Sequence, residues 1–166
     1  MSTQNLYNQD AKDKIKQIAE AVDFAMMVTN LGEKPLNAVP MSTKKVEEDG
    51  SIWFLSNANS EHNKNIAANS ETQLFYNGNK NMKFLSVYGN AGIFRDKDII
   101  KELYSSTDDA WFEGVNDPKI TAIKFAPKEA AYWDSKSNAL VSLFKMGKAA
   151  VTGEKQDLGV SGTLKV

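Results

Sequence analysis

The sequence predicts a mainly β, α+β fold: an antiparallel sheet or barrel of about six strands with helices packed outside. Three observations carry this. Strand-length runs rich in Val, Ile, Phe, Met and Trp recur along the chain. The gaps between most of them are short and hold turn chemistry, as in "NLGEKP" and "EEDG", so neighbouring strands join as hairpins rather than through regular βαβ units. Helical spacing of apolar residues is confined to a few short segments.

Taken in order, residues 1–22 form an N-terminal helical element. "DAKDKIKQIAEAV" puts Ile15, Ile18, Ala19 and Val22 on one face, with lysines and acids between them. "FAMMVTNLGEKPLNAVPMSTKKVEEDGSIWFLS" reads as three strands separated by two turns. A helix over residues 60–68 follows, with Ser60 as its N-cap. "TQLFYN" is a strand, "GNKN" a turn, and "MKFLSVYGNAGIFR" a longer strand. Gly89 and Gly92 inside that strand mark a bulge or a close backbone approach. "DKDIIKELY" is a helix capped by Asp96, and "STDDAWFEGVNDP" a loop with two large aromatics. "KITAIKFAPKEAAYWD" reads as a strand pair broken at Pro127. Residues 147–166 are a glycine-rich tail with little core-forming power. Without repeats or low-complexity stretches, residues 1–166 read as a single domain.

Composition excludes several functions. The 166 residues are 42% hydrophobic and 25% charged, with a formal net charge of -1. No basic block interleaved with aromatics suggests nucleic acid. Arg95 is the sole arginine, so bidentate arginine clamps cannot be the main phosphate device. With no cysteine and one histidine, thiolate nucleophiles and a multi-histidine metal site within one chain are excluded. The polar N-terminus and the absence of a membrane-length apolar run predict a cytoplasmic protein with no membrane partner.

"SNANSEHNKNI", residues 56–66, holds that only histidine at the mouth of the second helix. A helix N-terminus offers free N–H groups and partial positive charge, which suits an anion such as phosphate. Ser56, Ser60, His62 and Lys64 would add donors, and Lys44 or Lys45 on the preceding strand could reach in. The same residues also read as a capped helix with a polar outer face. The dipole opposes an imidazolium there, which argues against a serine–histidine–acid triad. Of the three tryptophans, Trp53 reads as core. Trp111, in an irregular loop, and Trp133, at a strand end, suit either a flat ligand's pocket or ordinary packing.

"VPMSTKKVEEDGSIWFLSNANSEHNKNI", "VYGNAGIFRD", "AWFEG" and "APKEAAYWD" follow in order and spacing a known pattern. The chain resembles the flavin-binding split-barrel proteins related to pyridoxamine 5′-phosphate oxidase, and within them the bacterial general stress protein subgroup. The resemblance spans roughly residues 24–134, and "AAVTGEKQDLG" in the tail shares it. It implies a split β-barrel that binds FMN at a homodimer interface, with the phosphate at the helix start near Ser60 and Lys64. Val39, Pro40, Met41, Ser42, Thr43 and Lys44 would run along the isoalloxazine and ribityl chain. Leu55 and Ser56 would touch the flavin, Ser60 and His62 would meet the phosphate, and Trp111 would sit near the open ring face. Trp133 would approach from the partner subunit.

Departures from the pattern shape the functional expectation. Val39 stands where the family commonly has an arginine, and His62 where a lysine is usual; Lys44 matches a lysine of the oxidases. FMN should therefore bind more tightly at pH 6 than at pH 8, through a protonated imidazole. "SKSNALVSLFKM" lacks the arginine and histidine that hold pyridoxamine in the oxidases, so vitamin B6 oxidation is not expected. The resemblance implies an FMN-dependent oxidoreductase of a bacterial stress response, using NAD(P)H or a small electron acceptor. The alternative is a non-catalytic FMN-binding or flavin-buffering protein. A split barrel carrying a deazaflavin or haem is a third reading, disfavoured by the sparse basic residues and the single histidine.

Overall fold

The computed structural model describes residues 2–79, 82–135 and 159–166. In chain order the elements are β1 (Ser2–Thr3), β2 (Leu6–Tyr7), α1 (Asn8–Val22), β3 (Phe24–Thr29), β4 (Asn37–Ser42), β5 (Lys45–Val46) and β6 (Ile52–Asn57). Then come α2 (Glu61–Ala68), β7 (Glu71–Gly78), β8 (Lys83–Phe94), α3 (Lys97–Leu103), a 3-10 turn (Ser106–Ala110), β9 (Ile120–Ser135) and β10 (Gly159–Lys165).

The main ladder runs β10-β9-β8-β7-β3-β4, antiparallel throughout. The first half of β9 also pairs with β6, which carries β5 on its other edge. β1 and β2 join β10 in parallel. Among the described residues no ladder links β4 to β6. The barrel is split there, as the expected fold class requires.

The core fills the barrel. Ala11, Ile15, Ile18 and Ala19 of α1 are fully buried against Leu74, Val87, Phe125 and Leu164. Removing such surface from water stabilises the fold by about 25 cal/mol per Å². A second cluster lies outside the barrel, where Ile100 and Leu103 of α3 cover Trp53, Ile120 and Ala122. The caps form where the sequence placed them. Ser60 accepts from Asn63 N–H at 3.3 Å, and Asp96 accepts from Asp98 N–H at 2.9 Å and Ile99 N–H at 3.1 Å.

Pro127 does not break the strand. β9 is continuous, and its register against β8 shifts between Tyr88 and Gly89, with Gly89 opposite Pro127 and Tyr88 opposite Glu129. The bulge absorbs the residue that cannot donate to the ladder. Gly89 is the close approach expected there: a Cβ on it would collide with the Ala126 carbonyl oxygen. The end of the tail also differs from expectation. Residues 159–165 form β10, and Leu164 is completely buried. Part of the "GNKN" turn, the stretch "SKSNALVSLFKM" beyond its first residue and most of the glycine-rich tail lie outside the described residues. No described helix is long and apolar enough to cross a membrane.

Strand alternation gives the sheet an apolar outer face. Phe24 and Met26 of β3 point outward, and Met26 faces Phe75 of β7 across the ladder. The row continues through Ser86 to Ala131, and Trp133 lies two residues farther along β9. Phe24 is 62% exposed, Met26 and Phe75 43%, and Trp133 41%. Pro40 and Ser42 of β4 lie beside Met26 and Phe24 on this face.

Candidate functional site

The split between β4 and β6 opens into a cleft of about 300 Å³, at the small end of the range for ligand pockets. Phe24, Pro40, Met41 and Ser42 form one wall, and Leu55, Ser56 and Asn57 the other. His62 of α2 closes one end; Lys44, Asp108, Trp111 and Phe112 border the rest.

At the α2 end the polar groups converge. β6 ends at Asn57, and an Asx turn follows, with Asn59 N–H donating to Asn57 Oδ1 at 2.9 Å. That turn brings Ser60 and the first helical turn back over Ser56. His62 Nε2 lies 2.6 Å from Ser56 Oγ and 3.1 Å from Ser60 Oγ, and the two hydroxyls are 3.3 Å apart. Ser56 is buried and its strand is anchored from behind, since Thr121 donates to Ser56 O at 3.1 Å and accepts from Asn63 Nδ2 at 2.8 Å. The amides of Glu61 and His62 have no protein acceptor among the described residues. Burial holds the His62 imidazole below its ordinary pKa, which keeps it neutral near pH 7.

The opposite border is an ion pair. Lys44 Nζ stands 2.7 Å from both carboxylate oxygens of Asp108. Burial pushes that carboxyl up, but hydrogen bonds from Lys44 and from the Ser105 N–H and hydroxyl outweigh it and hold the pKa below the usual range. Lys45 turns away, with Nζ 2.6 Å from Glu102. The sequence left both lysines open as anion donors; in the folded chain each is already paired.

Eight of the expected residues therefore meet in this cleft: Pro40, Met41, Ser42, Lys44, Leu55, Ser56, His62 and Trp111. Ser60 adjoins it through His62 and Ser56. The other expected residues lie elsewhere on the single chain. Val39 packs against the barrel core. Thr43 Oγ1 bonds the Tyr76 hydroxyl at 2.9 Å. Lys64 is exposed on the outer side of α2, and Trp133 lies on the outer sheet face, opposite Phe84 and Ser161. Phe24, Asn57, Asp108 and Phe112 line the cleft without having been singled out. Asp108 carried a readable sign, because an acid three residues after Ser105 fits a capping pattern. Phe24 carried none beyond membership of an apolar strand.

The donor set fits a phosphate or another small anion at the α2 end: two free amides, two hydroxyls and an imidazole. The apolar walls and exposed indole fit a flat ring beyond it. Among the described residues no group of three or more His, Asp and Glu side chains is arranged to hold a metal.

A family model described as "Pyridoxamine 5'-phosphate oxidase like" matches residues 10–157. No curated protein matches the sequence significantly. Among solved structures, one described as a general stress protein 26 from Jannaschia sp. CCS1 superposes with a TM-score of 0.77 at 23% identity, covering 95% of this chain and 96% of that one. General Stress Protein 26 from Bacillus anthracis gives 0.64 at 20% identity, covering 73% and 92%. The general stress FMN/FAD binding protein from Xanthomonas citri gives 0.66 at 18% identity, covering 78% and 92%.

Proposed function

The chain belongs to the pyridoxamine 5′-phosphate oxidase-like family, and we propose that it is a flavoprotein that binds FMN in the cleft between β4 and β6. One observation carries this reading. Two serine hydroxyls, the imidazole and two unpaired amides converge at the α2 N-terminus, at the end of an apolar cleft rimmed by Trp111. The Xanthomonas citri protein of the same fold, described as FMN/FAD binding, supports it.

In this reading Ser56, Ser60 and His62 hold the phosphate, while Pro40, Met41, Ser42 and Leu55 lie along the ring and chain. Val39, Thr43 and Lys64 would serve as flanking backbone or surface contacts, and Trp133 would act from a partner subunit. The flavin would supply hydride or electron transfer, with NAD(P)H or a small acceptor as the other reactant. The chain's own residues bind, orient and exclude water; none is placed as a proton donor to the ring. That favours keeping a second reading, a non-catalytic flavin-binding or buffering protein. Pyridoxamine phosphate oxidation is not proposed.

The protein is also proposed to be a homodimer. Phe24, Pro40 and Ser42 line the cleft and lie on the exposed apolar sheet face at once, so a second copy seated on that face would cover the flavin.

The test is an absorption spectrum of the purified protein, then titration of FMN with tryptophan fluorescence. Flavin bands, or saturable quenching with a dissociation constant of about 1 μM, near −8 kcal/mol, are expected. No bands and no quenching would leave α2 a capped helix and end the flavin reading. NADH oxidation by the loaded protein above the rate with free FMN separates the oxidoreductase from the buffering protein.

A further inference from the structure

The segment that carries Trp111 is flanked by Tyr104 and Phe112, which pack against the Trp53 cluster. Between them its polar link to the cleft wall is the buried Asp108, with Ser105 Oγ 3.4 Å from the same Lys44 Nζ. The Asp108 side chain receives Lys44 Nζ at 2.7 Å, the Ser105 N–H at 2.8 Å and the Ser105 hydroxyl at 3.0 Å. Its main-chain oxygen receives the N–H groups of Trp111 at 2.9 Å and Phe112 at 3.1 Å. One residue thus grips the wall with its carboxylate and the indole's backbone with its carbonyl. Lys44 is held in turn, since its N–H donates to Trp53 O at 2.8 Å, inside the β5–β6 corner. The lysine and aspartate side chains are only 10% and 9% exposed, whereas Trp111 is 81% exposed.

These burials point in opposite directions. An indole so exposed gains little from packing, so contacts of its own ring do not fix its place. A buried ion pair is a poor source of net stability, because desolvation offsets most of the attraction. What such a pair does supply is a fixed geometry between the two segments that it joins.

We propose that Asp108 is a positioning residue of the cleft: clamped to Lys44, it holds the 105–112 segment so that Trp111 stands as one wall for the ligand's ring. The inference rests on the flavin reading. It gives Lys44 the role of tether to Asp108 in place of contact with the flavin or its phosphate.

The experiment uses the full chain grown with 5-fluorotryptophan, whose three ¹⁹F resonances report on Trp53, Trp111 and Trp133. Trp111→Phe assigns the Trp111 line, and the buried Trp53 line reports folding. In Asp108→Ala and in Lys44→Met the Trp111 line should move toward that of free fluorotryptophan with the Trp53 line in place. The FMN dissociation constant should rise about tenfold, the scale of one lost aromatic contact. Lys44→Arg, which keeps the pair, should retain both properties. The double variant Lys44→Met/Asp108→Ala leaves no unpaired buried charge, so it serves where a single variant fails to fold. An unmoved Trp111 line overturns the tether. A moved line with unchanged FMN affinity overturns the role of Trp111 as a wall. If the unaltered protein binds no FMN, the flavin reading falls with the ligand-positioning role, and the Trp111 line alone decides whether the tether exists.

Discussion

His62 sits with Nε2 between the hydroxyls of Ser56 and Ser60, and burial holds its pKa below the ordinary imidazole value. The sign of the consequence follows from linkage. The folded state disfavours the charged ring, so the stability that neutral His62 contributes is present above about pH 6.5 and is lost as pH falls through its lower folded pKa. A bound phosphate reverses the local preference, because a nearby anion stabilises the imidazolium. Binding should then draw in a proton. FMN affinity should rise from pH 8 to pH 6, each unit by which the phosphate lifts the imidazole pKa being worth about tenfold. A phosphate monoester itself titrates near pH 6, in the opposing direction, so the comparison needs His62→Gln. Calorimetry in two buffers of different ionisation enthalpy should show proton uptake by the unaltered protein near pH 6.5 and a smaller uptake in the variant. Equal uptake in both would remove His62 from the phosphate site. The sequence made this residue legible because it is the only histidine and stands beside a helix cap. It could not show that both hydroxyls reach the same nitrogen, since that depends on the Asx turn folding Ser60 back over Ser56.

At the scale of elements, the bulge opposite Pro127 is the feature most open to test. A methyl group at Gly89 would strike the Ala126 carbonyl oxygen and lie 2.8 Å from Phe125 Cζ, a fully buried ring. Gly89→Ala should therefore destabilise the fold by about 2 kcal/mol, lowering Tm by roughly 4–8 °C. Gly92→Ala, whose added methyl would meet Phe94 at an ordinary 3.4 Å, should change Tm by far less. Similar falls in both would mean that strand propensity, not the close approach, sets the cost. Gly89 was readable as a mark of this bulge, whereas Gly92 stands in regular register with no close approach. Helices α1, α2 and α3 were readable from apolar spacing and from Ser60 and Asp96. However, α1 begins at Asn8, and the residues before it, expected to be helical, include the strands β1 and β2 paired with β10. Pro127 misled because the chain absorbs its missing donor through a partner strand far away in sequence. β10 was hidden for a related reason. Its one fully buried residue, Leu164, is separated from Val160, which also packs against the core, by Gly162, and only glycine fits there because the Gln4 carbonyl lies where a Cβ would be. The loop after α3 concealed its order similarly: Asp108 is explained by Lys44, 64 residues earlier.

At the scale of the whole molecule, the outer face of the sheet is what remains to be covered. Phe24, Met26, Phe75 and Trp133 share one face of adjacent strands and are each at least 41% exposed. Exposed apolar surface of this extent, interrupted only by Ser86 and Ala131, fits the proposed homodimer seam. Its edge at Phe24, Pro40 and Ser42 is also the rim of the cleft, so assembly and ligand binding should be linked. A ligand that touches both copies binds the dimer better than the monomer, and the dimer then binds it better in return. Light scattering at micromolar protein should therefore give twice the chain mass. Phe75→Glu would bury an unpaired carboxylate at the centre of the seam, at a cost of about 3 kcal/mol, or more than a hundredfold in the dimer dissociation constant. Because Phe75 points away from the barrel core, the variant's circular dichroism should be unchanged. Phe75→Leu, apolar and smaller, should stay dimeric. FMN affinity of Phe75→Glu should fall together with its dimerisation and recover at protein concentrations high enough to restore the pair. A monomeric Phe75→Glu that binds FMN as tightly as the dimer would show that one chain completes the site alone, and would remove Trp133 from it.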